Sequence, residues 1–213
     1  MKKKYIFIVA ILVCTIIFSH AYAETIVSVA PGTPGAPAIN QNQYLAMSWT
    51  QSSAYTDVAI SAYAWTSMTS YSSATAYLTT QIGAGATVAT QIAFANITLP
   101  YRAIGDPLPA ALNLFSGLTL GPDTYYLILA ANDTLAVRGW ENGGTSITDF
   151  GVTVINKAGY STIDDAAYPP ASTFSFTYGA PLAFEVTGTQ VPEPATMLLL
   201  GLGLIGLAGL RRK

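Results

Sequence analysis

The chain has 213 residues, of which 51% are hydrophobic and only 9% charged, with one cysteine and one histidine. Both of these, Cys14 and His20, fall within the first 23 residues, which read as an export signal. Once that signal is removed there is no disulfide, no thiol nucleophile, no Ser-His or Cys-His pair and no His or Cys metal ligand.

The N-terminal reading rests on three parts in order. Lys2, Lys3 and Lys4 form a basic region, Tyr5 to Phe18 is an apolar core, and Ala21-Tyr22-Ala23 offers small residues at the positions a signal peptidase needs. Residues 1–23 are therefore expected to be a Sec signal peptide cut between Ala23 and Glu24. Val13 precedes Cys14 where a lipoprotein signal requires a small residue, so lipidation is not expected.

From Glu24 to Gln190, ten acidic residues stand against three basic ones (Arg102, Arg138 and Lys157), a net charge of −7. A surface of that sign repels phosphate backbones, which excludes nucleic acid as a partner.

Residues 24–43 hold a possible first strand at Thr25 to Val29 and then "APGTPGAPAINQNQ", whose prolines and glycines suit a linker or an extended edge. Period-two alternation begins at Tyr44. Leu45, Met47 and Trp49 alternate with Ala46, Ser48 and Thr50. The pattern repeats at Val58, Ile60, Ala62 and Ala64, at Ala76, Leu78, Thr80 and Ile82, and at Val88, Thr90, Ile92 and Phe94. Gly121-Pro122-Asp123 reads as a turn after a strand ending at Leu120, and Tyr125 to Ala131 is apolar on both faces, as in a covered central strand. Further strands are predicted at Asp149 to Val154, Phe174 to Tyr178 and Leu182 to Val186. About ten short strands without a helical stripe predict an all-β ectodomain over 44–190, a single antiparallel β-sandwich of jelly-roll type.

The chain ends on "VPEPATMLLLGLGLIGLAGLRRK", residues 191–213. Pro192 and Pro194 cannot extend a sheet, but proline fits the first turn of a helix. Ala195 to Leu210 are sixteen uncharged residues, a transmembrane helix of about 24 Å that falls short of a ~30 Å hydrocarbon core. Arg211, Arg212 and Lys213 form a basic stop that would stay cytoplasmic.

Pro-Glu-Pro, a short glycine-laced span and a basic end, in that order, resemble the PEP-CTERM sorting signal of bacterial surface proteins. The resemblance implies that an exosortase recognises Pro192, Glu193 and Pro194. It also implies an intermediate anchored in the inner membrane by the tail, then release or transfer to the cell surface or extracellular matrix of a Gram-negative bacterium that makes exopolysaccharide.

Chemistry in the ectodomain is sparse. Without histidine a hydrolase would need paired carboxylates; Asp133, Glu141, Asp149 and the adjacent Asp164-Asp165 are the available ones, and no spacing selects a pair. Asp133, Asp164 and Asp165 are the candidate oxygen donors should a structural calcium ion bind, though no loop has the dense Asp/Asn/Gly spacing of a dedicated site. Tyr63, Trp65, Tyr77 and Trp140, the last in a glycine-rich loop "RGWENGG", are candidate glycan contacts. A sugar ring presents an apolar C–H face that planar aromatics can cover. The reading is thus a non-catalytic, exosortase-sorted surface or matrix protein associated with exopolysaccharide or biofilm. The alternatives are a carbohydrate-binding module and, third, a carboxylate-only secreted hydrolase. Expected partners are Sec signal peptidase, exosortase and, before processing, the membrane; no cofactor is expected.

Overall fold

The computed structural model describes residues 23–32, 35–40, 43–68, 73–103, 105–131, 138–162 and 168–192, together with Gly201 and Gly203. Among them are fifteen strands. The first eight are β1 (Glu24–Pro31), β2 (Ala38–Ile39), β3 (Gln43–Gln51), β4 (Tyr55–Ala62), β5 (Ala64–Thr66), β6 (Ser73–Thr79), β7 (Gln91–Thr98) and β8 (Leu112–Leu120). Then follow β9 (Asp123–Ala131), β10 (Arg138–Trp140), β11 (Gly143–Thr148), β12 (Val152–Val154), β13 (Ala158–Thr162), β14 (Phe174–Tyr178) and β15 (Phe184–Gln190). The only other regular elements among the described residues of 24–190 are short 3₁₀ turns at Val88–Thr90 and Pro169–Ala171.

Two large antiparallel sheets share one core. The first has the order β11-β1-β15-β4-β8; the second runs β14-β13-β3-β9-β6-β7, with β12 also pairing β3. The chain passes repeatedly from one sheet to the other, so neighbours within a sheet are mostly distant in sequence. The alternation read from the sequence is what joins them. On β4, Tyr55, Val58, Ile60 and Ala62 point inward, and on β15 Phe184 and Val186 do so; Ser61, Glu185 and Thr187 face outward. Leu45, Met47 and Trp49 come from β3 of the other sheet, and Trp49 bridges the layers, 5.4 Å from Tyr125 and 5.8 Å from Phe184. The apolar strand β9 is central in its sheet, flanked by β3 and β6. Its outer side is also covered: Ile128 is fully buried, and the 3₁₀ turn at Pro169–Ala171 packs over that face.

β1 lies between β11 and β15, so the segment from Glu24 to Pro31 is part of the sandwich. A third, small sheet β2-β10-β5 caps the end where β4 finishes and β3 begins.

Several expectations need correction. Val88–Thr90 is a 3₁₀ turn, not strand, and β7 starts after it. Along β7 the alternation is real but its polarity is reversed: Ala93 and Ala95 face the core, while Ile92 and Phe94 are exposed. Asp149 to Gly151 form a turn, leaving only Val152–Val154 as strand. The last strand is shifted toward the C-terminus, ending at Gln190. Trp140 belongs to strand β10, not to a loop. Among the described residues no helix is long and apolar enough to cross a membrane. The predicted span 195–210 lies, apart from Gly201 and Gly203, outside the described residues, as does the signal peptide up to residue 22.

Candidate functional site

The two ends of the sandwich differ, and each candidate residue belongs to one of them or to the sheet face between. At one end the tail leaves. Here β3 turns into β4 through Ser52–Ala54, β8 into β9 through Gly121 and Pro122, and β11 into β12 through Asp149–Gly151, beside the start of β1 and the end of β15. Gln190 is paired with Tyr55, its side-chain amide donates to Ser53 Oγ at 2.9 Å, and Val191 N–H donates to Ala54 O at 2.8 Å. Regular pairing therefore continues up to the residue before Pro192. Glu193, Pro194, Arg211, Arg212 and Lys213 lie outside the described residues, as does Ala21 of the signal cleavage site; Ala23 and Glu24 are described and Glu24 opens β1.

This end is held by buried polar contacts. Gln51 is 1% exposed; its carbonyl accepts Trp49 Nε1–H at 3.1 Å, and its amide donates to Ser53 O and Gly121 O, both at 3.1 Å. One side chain thus ties two turns together. Tyr55 donates its hydroxyl proton to Asp149 Oδ2 at 2.8 Å. Burial first, then that hydrogen bond and the Asp149 charge, push the Tyr55 hydroxyl far above its ordinary pKa. Burial and the Asp123 charge push Tyr125 up to about 12.

The opposite end carries the small sheet. Trp65 on β5 faces Gly139 on β10, and the indole lies over that glycine, where an added Cβ would come within 3.5 Å of the ring and 2.5 Å of Ala36 Cβ. The Arg102 guanidinium sits 5.0 Å from the Trp65 ring centre, a cation–π arrangement. Glu141 Oε2 accepts from Trp65 Nε1 at 3.0 Å and from Arg102 Nη1 at 3.3 Å. Glu141 is almost fully buried and Arg102 is 19% exposed, so the carboxylate is paired as a buried charge must be. Tyr63 is half-buried beside it, its carbonyl accepting Glu141 N–H at 2.8 Å.

Trp140 is 0% exposed, with its Nε1–H on Ala183 O at 2.8 Å. It is a core residue and offers no ring face to a ligand, which corrects the reading of it as an exposed loop aromatic. Tyr77 lies elsewhere, on the outer face of the seven-stranded sheet. Tyr168 meets it edge to face at 5.9 Å, Phe94 is its cross-strand neighbour and is 60% exposed, and Thr75 donates to Asn96 Oδ1 at 2.9 Å one pair along. Tyr168 also donates to Gln91 Oε1 at 3.0 Å. The four aromatics named from sequence therefore do not converge. Two stand at the end opposite the tail, one is core, and one joins a patch of Phe94 and Tyr168 that sequence reasoning missed. The missed signal was β7 itself, with Ile92 and Phe94 on one face and Ala93, Ala95 and Ile97 on the other. Arg102 could have been flagged as one of just three basic residues of the ectodomain.

Of the carboxylates, Glu141 and Asp149 sit at opposite ends, each engaged in structural hydrogen bonds. Asp133, Asp164 and Asp165 lie outside the described residues. Among the described residues no three His, Cys, Asp or Glu side chains gather as a metal site would need.

Comparison with known families matches residues 190–213 to the PEP-CTERM protein-sorting motif. The match starts on the last residue of β15 and takes in everything beyond it. No curated protein matches the chain. The chain thus carries the sorting motif of an exported protein whose C-terminus is processed by an exosortase.

Proposed function

We propose that this protein is a non-catalytic component of the cell surface or extracellular matrix of a Gram-negative bacterium, associated with exopolysaccharide and delivered there by exosortase processing of its tail. The observation that carries the reading is the sorting motif placed directly after β15. The precursor is exported through its signal peptide, held by the 195–210 span, and freed of that span once Pro192-Glu193-Pro194 has been read. The chain's repeated passage between sheets supports a jelly-roll-like sandwich. The non-catalytic reading is supported by the separation of Glu141 from Asp149 and by their structural roles.

Replacing Pro192, Glu193 and Pro194 together with alanine tests the sorting step. The substitution lies beyond the last strand and leaves the apolar span intact, so the protein should fold, insert and stay in the inner membrane with its tail uncut. Release of the triple variant equal to wild type would reject the reading.

One observation favours a second reading, direct glycan binding: the Tyr77, Phe94 and Tyr168 patch stands beside the Gln91 and Asn96 amides. Among the described residues every strand and core residue lies between Glu24 and Gln190, so that stretch carries its own core. On a panel of polysaccharides, residues 24–190 should bind, and Phe94→Ala should lose most of that binding with an unchanged circular dichroism spectrum. Equal binding by the variant would remove this patch as the site.

A further inference from the structure

We propose that the end of the sandwich from which the tail leaves rests on the lipid bilayer, with Phe150 inserted at its surface, for as long as the C-terminal span is in the membrane. The proposal rests on the reading of 195–210 as that span and adds an ectodomain surface to it. Val191 is fixed to Ala54, and only three residues, Pro192 to Pro194, separate it from Ala195, four Cα steps away. Even fully extended, that stretch covers about 14 Å, whereas the headgroup zone on each side of the hydrocarbon core is itself roughly 5–8 Å deep. The span is also short for the core, which draws its ends inward or thins the bilayer around them. The tail-proximal end of the domain therefore cannot stand far from the lipid.

What that end presents is apolar. Phe150 is 94% exposed, the most exposed large hydrophobic side chain among the described residues, and it sits at the tip of the turn between β11 and β12. Val88 in the β6–β7 connection and Val191 are exposed at the same end. The turn is held in advance. Phe150 N–H donates to Asp149 Oδ1 at 2.7 Å, Asp149 is held by Tyr55, Gly151 takes a φ of +74°, and Ser52 N–H donates to Gly151 O at 3.1 Å. An apolar side chain on a rigid turn enters an interface without an ordering cost of its own. The charged residues here, Glu24, Asp123 and Asp149, are acidic, and the sequence places no Lys or Arg in these turns. The attraction is thus hydrophobic and is opposed, not helped, by anionic headgroups, so salt should not weaken it.

The test uses the signal-processed full chain in vesicles of phosphatidylcholine and phosphatidylglycerol, with and without brominated acyl chains. Phe150→Trp adds one emitter to a background in which Trp49 and Trp140 are buried and Trp65 lies at the far end. Brominated lipid should remove most of the emission that Phe150→Trp adds, at low and high salt alike, and should spare that added by Tyr101→Trp at the far end. If Leu204→Trp in the span is quenched and Phe150→Trp is not, the tail reading stands and the proposal is overturned. If neither is quenched, both fall. If Phe150→Ser slows tail removal in the host while Phe150→Trp stays unquenched, the exposed ring serves the exosortase, which also overturns the proposal.

Discussion

Tyr55 shows how a single residue links the core to the tail-proximal turns. Its ring is buried between the sheets and its hydroxyl is aimed at Asp149, which in turn caps the Phe150 amide. Tyr55→Phe removes a hydrogen bond to a charged acceptor and should cost about 1.5–3 kcal/mol at neutral pH. The pH dependence has a definite sign. The folded state holds the Tyr55 and Tyr125 protons beyond the ordinary tyrosine range. The unfolded chain releases them near pH ~10, so their contribution is fully present below that pH and is lost as pH rises above it. Urea midpoints measured from neutral to alkaline pH should fall more gently for Tyr55→Phe than for wild type once pH passes that range. Parallel curves would show that Tyr55 is not part of the alkaline transition. Asp57, with φ of 52° at the break in register between β4 and β8, is a second residue whose conformation is set by the fold; aspartate tolerates that region better than most side chains.

Among the elements, β10 is the most dependent on its neighbours. Three residues long, it is held by β2 on one side and β5 on the other, with Gly139 under the Trp65 ring. Gly139→Ala would bring a methyl group against Ala36 and the indole, and should cost about 1–3 kcal/mol in thermal or urea unfolding. It should also change the near-ultraviolet signal of Trp65. A variant as stable as wild type with the same spectrum would mean the small sheet adapts freely. β10 also shows where reading from sequence stopped. "RGWENGG" has no alternation and is rich in glycine; what makes it a strand is pairing with residues about a hundred positions earlier at Ala38–Ile39 and more than seventy earlier at Ala64–Thr66. β11 and β13 escaped for a related reason. β11 is an edge strand of Gly, Ser and Thr with a single apolar residue, Ile147, that is itself exposed, and β13 offers only Ala158 and a half-buried Tyr160 to the core. β3, β4 and β14 were legible because their apolar period is kept over five to nine residues, and β9 because its run is apolar throughout. The tail motif was legible in full, because it is contiguous. The Trp65, Arg102 and Glu141 cluster was not, since its members are brought together from three separate segments by the small sheet.

At the scale of the whole molecule, the fold separates a tail-bearing end from an end capped by the small sheet, about 30 Å apart along a nine-residue strand such as β3. On the proposed reading the first end is handled at the membrane, and the other, with the outer sheet face, meets the surroundings. Residues 24–190 hold no cysteine and so form no disulfide; on the proposed reading, export and tail processing determine where the protein acts. The most direct test of that account is the intact mass of the form found on the surface or in the matrix of the native host. The account predicts a chain that begins at Glu24 and lacks the apolar span and the basic stop, ending within or just after Pro192-Glu193-Pro194. A surface form that retains residues 195–213 would contradict it.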